Sequence, residues 1–215
     1  MWTGIPINKT PETIPLLSYT HINFAFAGID PVTFSVVAMS PGDLDLMRRL
    51  TALKRLYPGL QVWIAIGGWS MNDPGPTFHT FSDLVNSAAN QQKFFASLIS
   101  FMSFYGFDGV DIDWEYPVAE ERGGRPSDFQ AFPVFMRNLR SAFRNAGKSW
   151  GVTLTLPSSF WYMQHFDIVK LEPVVDWFNM MEYDIHGTWD AMSVWTGGQW
   201  RFPFPPGPTL LGLRC

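Results

Sequence analysis

An α/β fold built on a parallel sheet is predicted for this 215-residue chain by three features of its sequence. Strand-like apolar runs alternate with stretches of helical spacing. One run, Val62 to Ile66, is apolar throughout, as befits a strand buried on both faces. No repeat, linker or low-complexity tract breaks the alternation until the end of the chain. Right-handed crossovers between parallel strands follow from that order. Both an open doubly wound sheet and a (β/α) barrel satisfy it, and pattern alone does not separate them.

The first clear strand is His21 to Ala27, with Ile22, Phe24 and Phe26 alternating. After the Pro41-Gly42 break, Leu46, Leu50, Leu53 and Tyr57 recur at helical spacing, and Pro58-Gly59 ends that helix. The Val62–Ile66 run leads into Gly67-Gly68-Trp69. A helix over about 90–105 carries Phe94, Leu98, Phe101 and Tyr105 on one stripe and stops at Gly106. Ser127 and Gln130 have capping-box spacing before a helix with Phe132, Phe135, Leu139 and Phe143, which stops near Gly147. Strands at Gly151 to Leu156 and Trp177 to Tyr183 complete a set of five.

Between the second helix and the capping box lies Phe107-Asp-Gly-Val-Asp-Ile-Asp-Trp-Glu-Tyr-Pro117, with four carboxylates in an apolar setting. Strand side chains alternate, so Asp111, Asp113 and Glu115 share one face while Val110, Ile112 and Trp114 take the other. Neighbouring acids in the row are roughly 7 Å apart. Like charges that close, in apolar surroundings, cannot all ionise cheaply, and at least one pKa is expected to rise. A proton held near neutral pH is what a general acid needs. Asp108 falls on the opposite face. The same row could instead ligate a divalent cation through oxygen, and sensitivity to chelators would discriminate. Gly67, Glu115, Pro157 and Asp184 all fall at strand carboxyl ends, where α/β proteins carry their chemistry.

Composition narrows the partners. Hydrophobic residues make up 47% and charged residues 16%, which excludes a disordered chain. A net charge of −4 leaves no electrostatic footprint for nucleic acid or an anionic membrane, and no apolar stretch reaches membrane-spanning length. The 10 Trp, 19 Phe and 6 Tyr suit stacking on flat apolar sugar faces as well as a core. Trp69, Trp161, Tyr162, Trp177 and Trp189 are platform candidates, whereas Trp114 alternates away from the acids. The only cysteine is Cys215, so no intrachain disulfide forms. His79, His165 and His186 lack metal spacing, and Asp167, Glu172 and Asp176 read as solvated loop charges. The first ten residues lack the basic and apolar regions of a signal peptide.

Asp108-Gly-Val-Asp111-Ile-Asp113-Trp-Glu115 resembles the D-x-x-D-x-D-x-E signature of family 18 glycoside hydrolases, the chitinases. Ile64-Ala-Ile-Gly67-Gly68-Trp69 is similar to that family's glycine pair, and Met181-Glu-Tyr183-Asp184 to its M-x-Y-D motif. The resemblance covers about residues 19–190. The wording of Ala65 to Asp73 and Arg122 to Arg125 looks most like the fungal chitinases related to killer-toxin subunits.

The resemblance implies a (β/α)₈ TIM barrel, here incomplete with about five of eight strands, and a substrate-assisted retaining mechanism. By that analogy Glu115 protonates the glycosidic oxygen, and the substrate's acetamido carbonyl attacks its own anomeric carbon. Asp113 holds the acetamido N–H, Asp111 shares a proton with Asp113, and Tyr183 hydrogen-bonds the acetamido oxygen. Gly67, Gly68, Trp69, Tyr116, Met181 and Asp184 line the sugar site, and Asp108 supports it. No cofactor or metal is implied. The partner is chitin or chito-oligosaccharides, the action endo, the state monomeric and the location extracellular. Residues 1–190 form a partial catalytic domain, and 191–215 an irregular Pro/Gly-rich tail that cannot continue a sheet. The expectation is therefore a shortened relative of an enzyme, weakly active or reduced to a chitin-binding lectin; retention of Glu115 favours the enzyme.

Overall fold

The computed structural model describes residues 10–183. The chain divides into two compact units, Met1–Met181 and Glu182–Cys215, and the fold is that of the first. Its strands are β1 (His21–Ile29), β2 (Val36–Ala38), β3 (Gln61–Gly67), β4 (Gly109–Asp113), β5 (Gly151–Pro157) and β6 (Phe178–Met181). They form one sheet in the order β2-β1-β3-β4-β5-β6. All neighbours pair in parallel except β1 and β2. The arrangement is the curled half-barrel of the (β/α) fold. The five sequence-predicted strands are all present. The sixth, β2, is the added one: three residues are too few to show a period, and it pairs antiparallel because the turn at Asp30–Ser35 reverses the chain.

The helices are α1 (Asp43–Ala52), α2 (Thr80–Val85), α3 (Ala88–Tyr105) and α4 (Asp128–Asn145), with short turns α5 (Phe160–Met163) and α6 (Ile168–Leu171). Ser87 caps α3 by accepting the Asn90 N–H. Gly106 ends it in a left-handed conformation, its N–H and that of Phe107 both donating to the Met102 carbonyl. The buried stripe of α3 turns slightly from the predicted one: Met102 is buried, while Phe101 and Tyr105 are half-buried. The predicted Ser127–Gln130 capping box does not form. Ser127 is itself helical and its side chain makes no cap hydrogen bond; the carboxylate with partners at this end of α4 belongs to the following residue.

That residue is Asp128, which is fully buried. Its Oδ2 accepts from the N–H groups of Val118 and Arg125, and its Oδ1 from Ser82 Oγ and Asn86 Nδ2. Four donors compensate a carboxylate taken out of water. They also tie the loop after β4 to α2.

The sheet's two faces differ in kind. Val62, Ile64, Ile66, Val110, Ile112, Val152, Leu154 and Leu156 point outward into one core with Phe94, Leu98, Phe135 and Leu139 of α3 and α4. Trp114 joins this side, stacked on Phe81 at 5.4 Å and edge-on to Phe132 at 5.2 Å. The concave face holds Trp63 at its amino end. A Cβ on Gly109 or Gly151 would come within 2.3 or 2.1 Å of that indole, so both positions must lack one. Trp63 also meets Trp177 and His21, which makes the 40%-exposed Trp177 part of the floor at this end.

Asp108 and Asp176 repeat one device at that amino end. Each donates its own N–H to the carbonyl of the second residue of a neighbouring strand and accepts that residue's N–H on its carboxylate: Val62 for Asp108, Val152 for Asp176. Each is paired with a cation, Lys54 at 2.7 Å and Arg140 at 2.7 Å. Asp176 is thus a strand cap rather than a solvated charge. Asp167 is corrected likewise, since it caps α6 and pairs with Lys170.

Replacing Asp128 by Ala should cost about 3 kcal/mol, because it removes a fully buried carboxylate that accepts from two partly buried backbone donors and two side chains, while Asp128→Asn should cost less. Urea unfolding midpoints measure both; an unchanged midpoint for the alanine variant would refute the role given to this carboxylate.

Candidate functional site

The parallel register sets the acids. Ala65 pairs with Asp111 and Gly67 with Asp113, so these residues share the concave face at the carboxyl end of the sheet. Glu115 lies two residues beyond the end of β4, and Trp114 between them turns outward into the core. All three carboxyl-bearing residues are buried, at 3%, 5% and 7% exposure. The charges of Glu115 and Asp111 both bear on Asp113, which puts the three acids together as the alternation predicts.

Close approach of the β3 turn is what seals the row. Gly67 has φ of +119°, and a Cβ there would sit 2.0 Å from the Asp113 carbonyl oxygen. The next N–H, of Gly68, donates to that same oxygen at 2.9 Å. Gly68 has φ of +81°, and a Cβ there would sit 3.0 Å from the Phe26 ring, where β1 bulges between Ala25 and Ala27. Both glycines are required by conformation and by space.

The two strand aspartates have different surroundings. Asp111 Oδ1 accepts from Thr153 Oγ1 at 2.7 Å and Asn179 Nδ2 at 2.9 Å, and Oδ2 accepts from Thr155 Oγ1 at 2.7 Å. Burial raises its pKa, and the three donors pull the other way. Asp113 Oδ1 is buried with no hydrogen-bond partner among the described residues. Burial first, then the charges of Glu115 and Asp111, pushes its pKa up to about 8. The pair is therefore asymmetric in its partners: burial raises both carboxyls, but three donors oppose the rise at Asp111 and none reaches Asp113 Oδ1 among the described residues. The donors come from β5 and β6, and the acid motif gives no hint of them. Hydroxyl or amide residues alternating onto the acid face, Thr153, Thr155 and Asn179, were the available signal.

Aromatic groups stand on the loops past the strand ends. Tyr116 stacks on Tyr162 at 4.1 Å and meets Trp69 edge-on at 6.5 Å. Its hydroxyl bonds to Glu115; burial and that carboxylate push its pKa well up. Trp69 and Trp161 are 51% and 61% exposed. The Met181 carbonyl accepts from Ser158 Oγ, joining the ends of β5 and β6. Tyr183 belongs to the second unit and is exposed, while Asp184 and Trp189 lie outside the described residues. Asp108, at the amino end of β4, is apart from the row.

Among the described residues, no three His, Cys, Asp or Glu side chains are arranged to hold a metal ion. Both oxygens of Asp111 already have hydrogen-bond donors, which disfavours the cation-binding reading of the row. No described helix is long and apolar enough to cross a membrane.

This half-barrel, with a row of acids at the strand carboxyl ends, has the architecture of a glycoside hydrolase. The profile described as Glycosyl hydrolases family 18 matches residues 2–199, and the chain belongs to that family. It is 33% identical over 187 residues to an endochitinase of Manduca sexta, covering 85% of this chain and 33% of the relative. It is 35% identical over 177 residues to chitotriosidase-1 of Mus musculus, covering 79% and 36%. Among solved structures, catalytic domain 2 of the Group II chitinase of Ostrinia furnacalis superposes with a TM-score of 0.76 at 31% identity, covering 85% of this chain and 47% of that one. The chain thus spans about a third of these curated relatives and about half of that solved domain.

Between the unperturbed carboxyl value of 3.8 and about 8, folded Asp113 keeps a proton that the unfolded chain has released. Its contribution to stability therefore falls as pH rises through that window and levels off above it. Asp113→Asn should gain on the parent protein as pH goes from 5 to 8. Paired denaturation curves give the answer, and a pH-independent difference would remove the elevated value.

Proposed function

We propose that this chain carries the acid–base machinery for hydrolysing β-1,4 N-acetylglucosamine linkages in chitin. The observation that carries the reading is the asymmetric pair beside Glu115: Asp113 poised as a proton-holding neighbour, Asp111 held by three donors. A carboxyl that keeps its proton to about pH 8 can hydrogen-bond an amide and relay a proton to its neighbours.

In this reading Glu115 donates its proton to the glycosidic oxygen, and the substrate's own acetamido carbonyl forms the bond to the anomeric carbon, with retention. Asp113 orients the acetamido N–H, and Asp111 takes up the proton that Asp113 yields. Tyr183 steadies the acetamido oxygen and Asp184 touches the sugar. Gly67, Gly68, Trp69, Tyr116 and Met181 shape the wall, and Asp108 supports β4 from its far end. No cofactor takes part. Residues 1–190 act as the catalytic domain, with 191–215 a tail.

The partner is chitin or a chito-oligosaccharide. A mutant of the Ostrinia domain was solved in complex with penta-N-acetylchitooctaose, which supports that class of ligand. Internal cleavage is supported by the name of the Manduca relative, an endochitinase. Action outside the cell as a monomer is our reading, and a relative of Penicillium expansum is named a secreted chitinase. That relative and a second from the same fungus, at 33% and 32% identity, also support a fungal affinity, within which we favour the killer-toxin-related subgroup.

Glu115→Gln should lower release of chitobiose from chitohexaose by at least about a thousandfold while leaving oligosaccharide binding within a few-fold. Chromatography of products and calorimetry of binding read the two separately. Hydrolysis at the parental rate would remove Glu115 as the acid; binding without hydrolysis by the parent chain would make it a lectin. In the parent, activity should fall as pH rises past about 8, where Asp113 loses its proton. A profile flat into the alkaline range counts against the pair.

A further inference from the structure

Arg122 lies outside the acid row, yet its guanidinium joins the two strand ends that carry the site. It is 6% exposed. Nε donates to the Glu115 carbonyl at 3.0 Å, Nη2 to the Trp69 carbonyl at 2.6 Å, and Nη1 to Asp73 Oδ1 at 3.1 Å. The plane of the same group packs on the Trp69 indole, Cζ lying 3.6 Å from the ring centroid. One rigid group thus fixes the backbone of the acid, the backbone of the exposed tryptophan and the face of its ring.

The surroundings are built to hold it there. Asn72 Nδ2 donates to the Arg122 carbonyl at 3.0 Å. Arg122 closes a short 3-10 turn, Glu120–Arg122, against two glycines whose Cβ atoms would clash: Gly123 at 2.0 Å from the Phe78 carbonyl and Gly124 at 2.6 Å from the Val118 nitrogen. Asp73 supplies the opposite charge. A lysine could meet one carbonyl but offers neither the fork nor the flat face.

We propose that Arg122 is a positioning residue that sets Trp69 at a fixed place relative to Glu115, so that a sugar ring stacked on the indole is held in register with the proton donor. This rests on the chitin-hydrolysing reading above. An indole with an arginine beneath one face has its other face left for a ligand, and its 51% exposure is consistent with that.

The test is a double-mutant cycle in the full chain carrying Glu115→Gln, with chitopentaose binding measured by calorimetry. Trp69→Ala and Arg122→Lys should each weaken binding about tenfold, and the double variant should be no weaker than Trp69→Ala alone. Arg122→Gln carries the same expectations as a second variant. Additive losses, or parental affinity in Arg122→Lys, would overturn the proposal. If the parent binds no chitopentaose, the functional reading fails while the arginine's hold on the indole is still readable. Acrylamide quenching attributable to Trp69, taken against Trp69→Phe, should rise about twofold in Arg122→Lys. An unchanged quenching constant would sink the positioning role by itself.

Discussion

The contact of Gly67 with the Asp113 carbonyl is the constraint on which the site depends. β3 and β4 run in parallel register up to that pair, and at its end the chain of β3 must turn sharply while staying within hydrogen-bonding range of β4. Only a residue without a Cβ can do so, since a Cβ there would lie 2.0 Å from the carbonyl oxygen. Asp111 and Asp113 on that face are buried, at 3% and 5% exposure. Burial, and then the charges of Glu115 and Asp111, raise the pKa of Asp113 on that strand end.

Much of this was legible in the sequence, for identifiable reasons. The apolar run of β3 and the alternation in β4 are long enough to state a period, and the period fixes which face each side chain takes. That is why Trp114 could be assigned to the core and the acids to one row before any coordinates. Gly67 and Gly68 were readable because two glycines ending a buried strand need a reason. The short β2 was not readable, since three residues have no period. Asp128 was missed because the spacing of Ser127 and Gln130 mimics a cap, whereas the real work is tertiary: its donors come from α2 and from the loop after β4.

Partners distant in sequence account for the other misses. Asp176 looks like a surface charge along the chain, yet it replaces one rung of the ladder at a strand start and carries a cation behind it, as Asp108 does at the start of β3. Asp111 finds its donors 42, 44 and 68 residues away. Arg122 finds Trp69 and Asp73 across 53 and 49. No local rule reports such pairs. What the sequence does show is the residue type, and a motif of acids identifies the chemistry without saying which acid is charged.

That division of labour between the aspartates has a physical logic. Two carboxylates side by side in a desolvated place cannot both ionise, so the environment must choose between them. Here the choice is made by β5 and β6, whose two hydroxyls and one amide all turn to Asp111 and none to Asp113 Oδ1. Supporting one member with donors is what lets the other stay neutral next to Glu115. The strands that follow the motif therefore shape the surroundings of the acids as fully as the motif does. A chain that retained the β4 signature but lost the Thr153, Thr155 and Asn179 side chains would keep the acids and lose the donors that set Asp111 apart from Asp113.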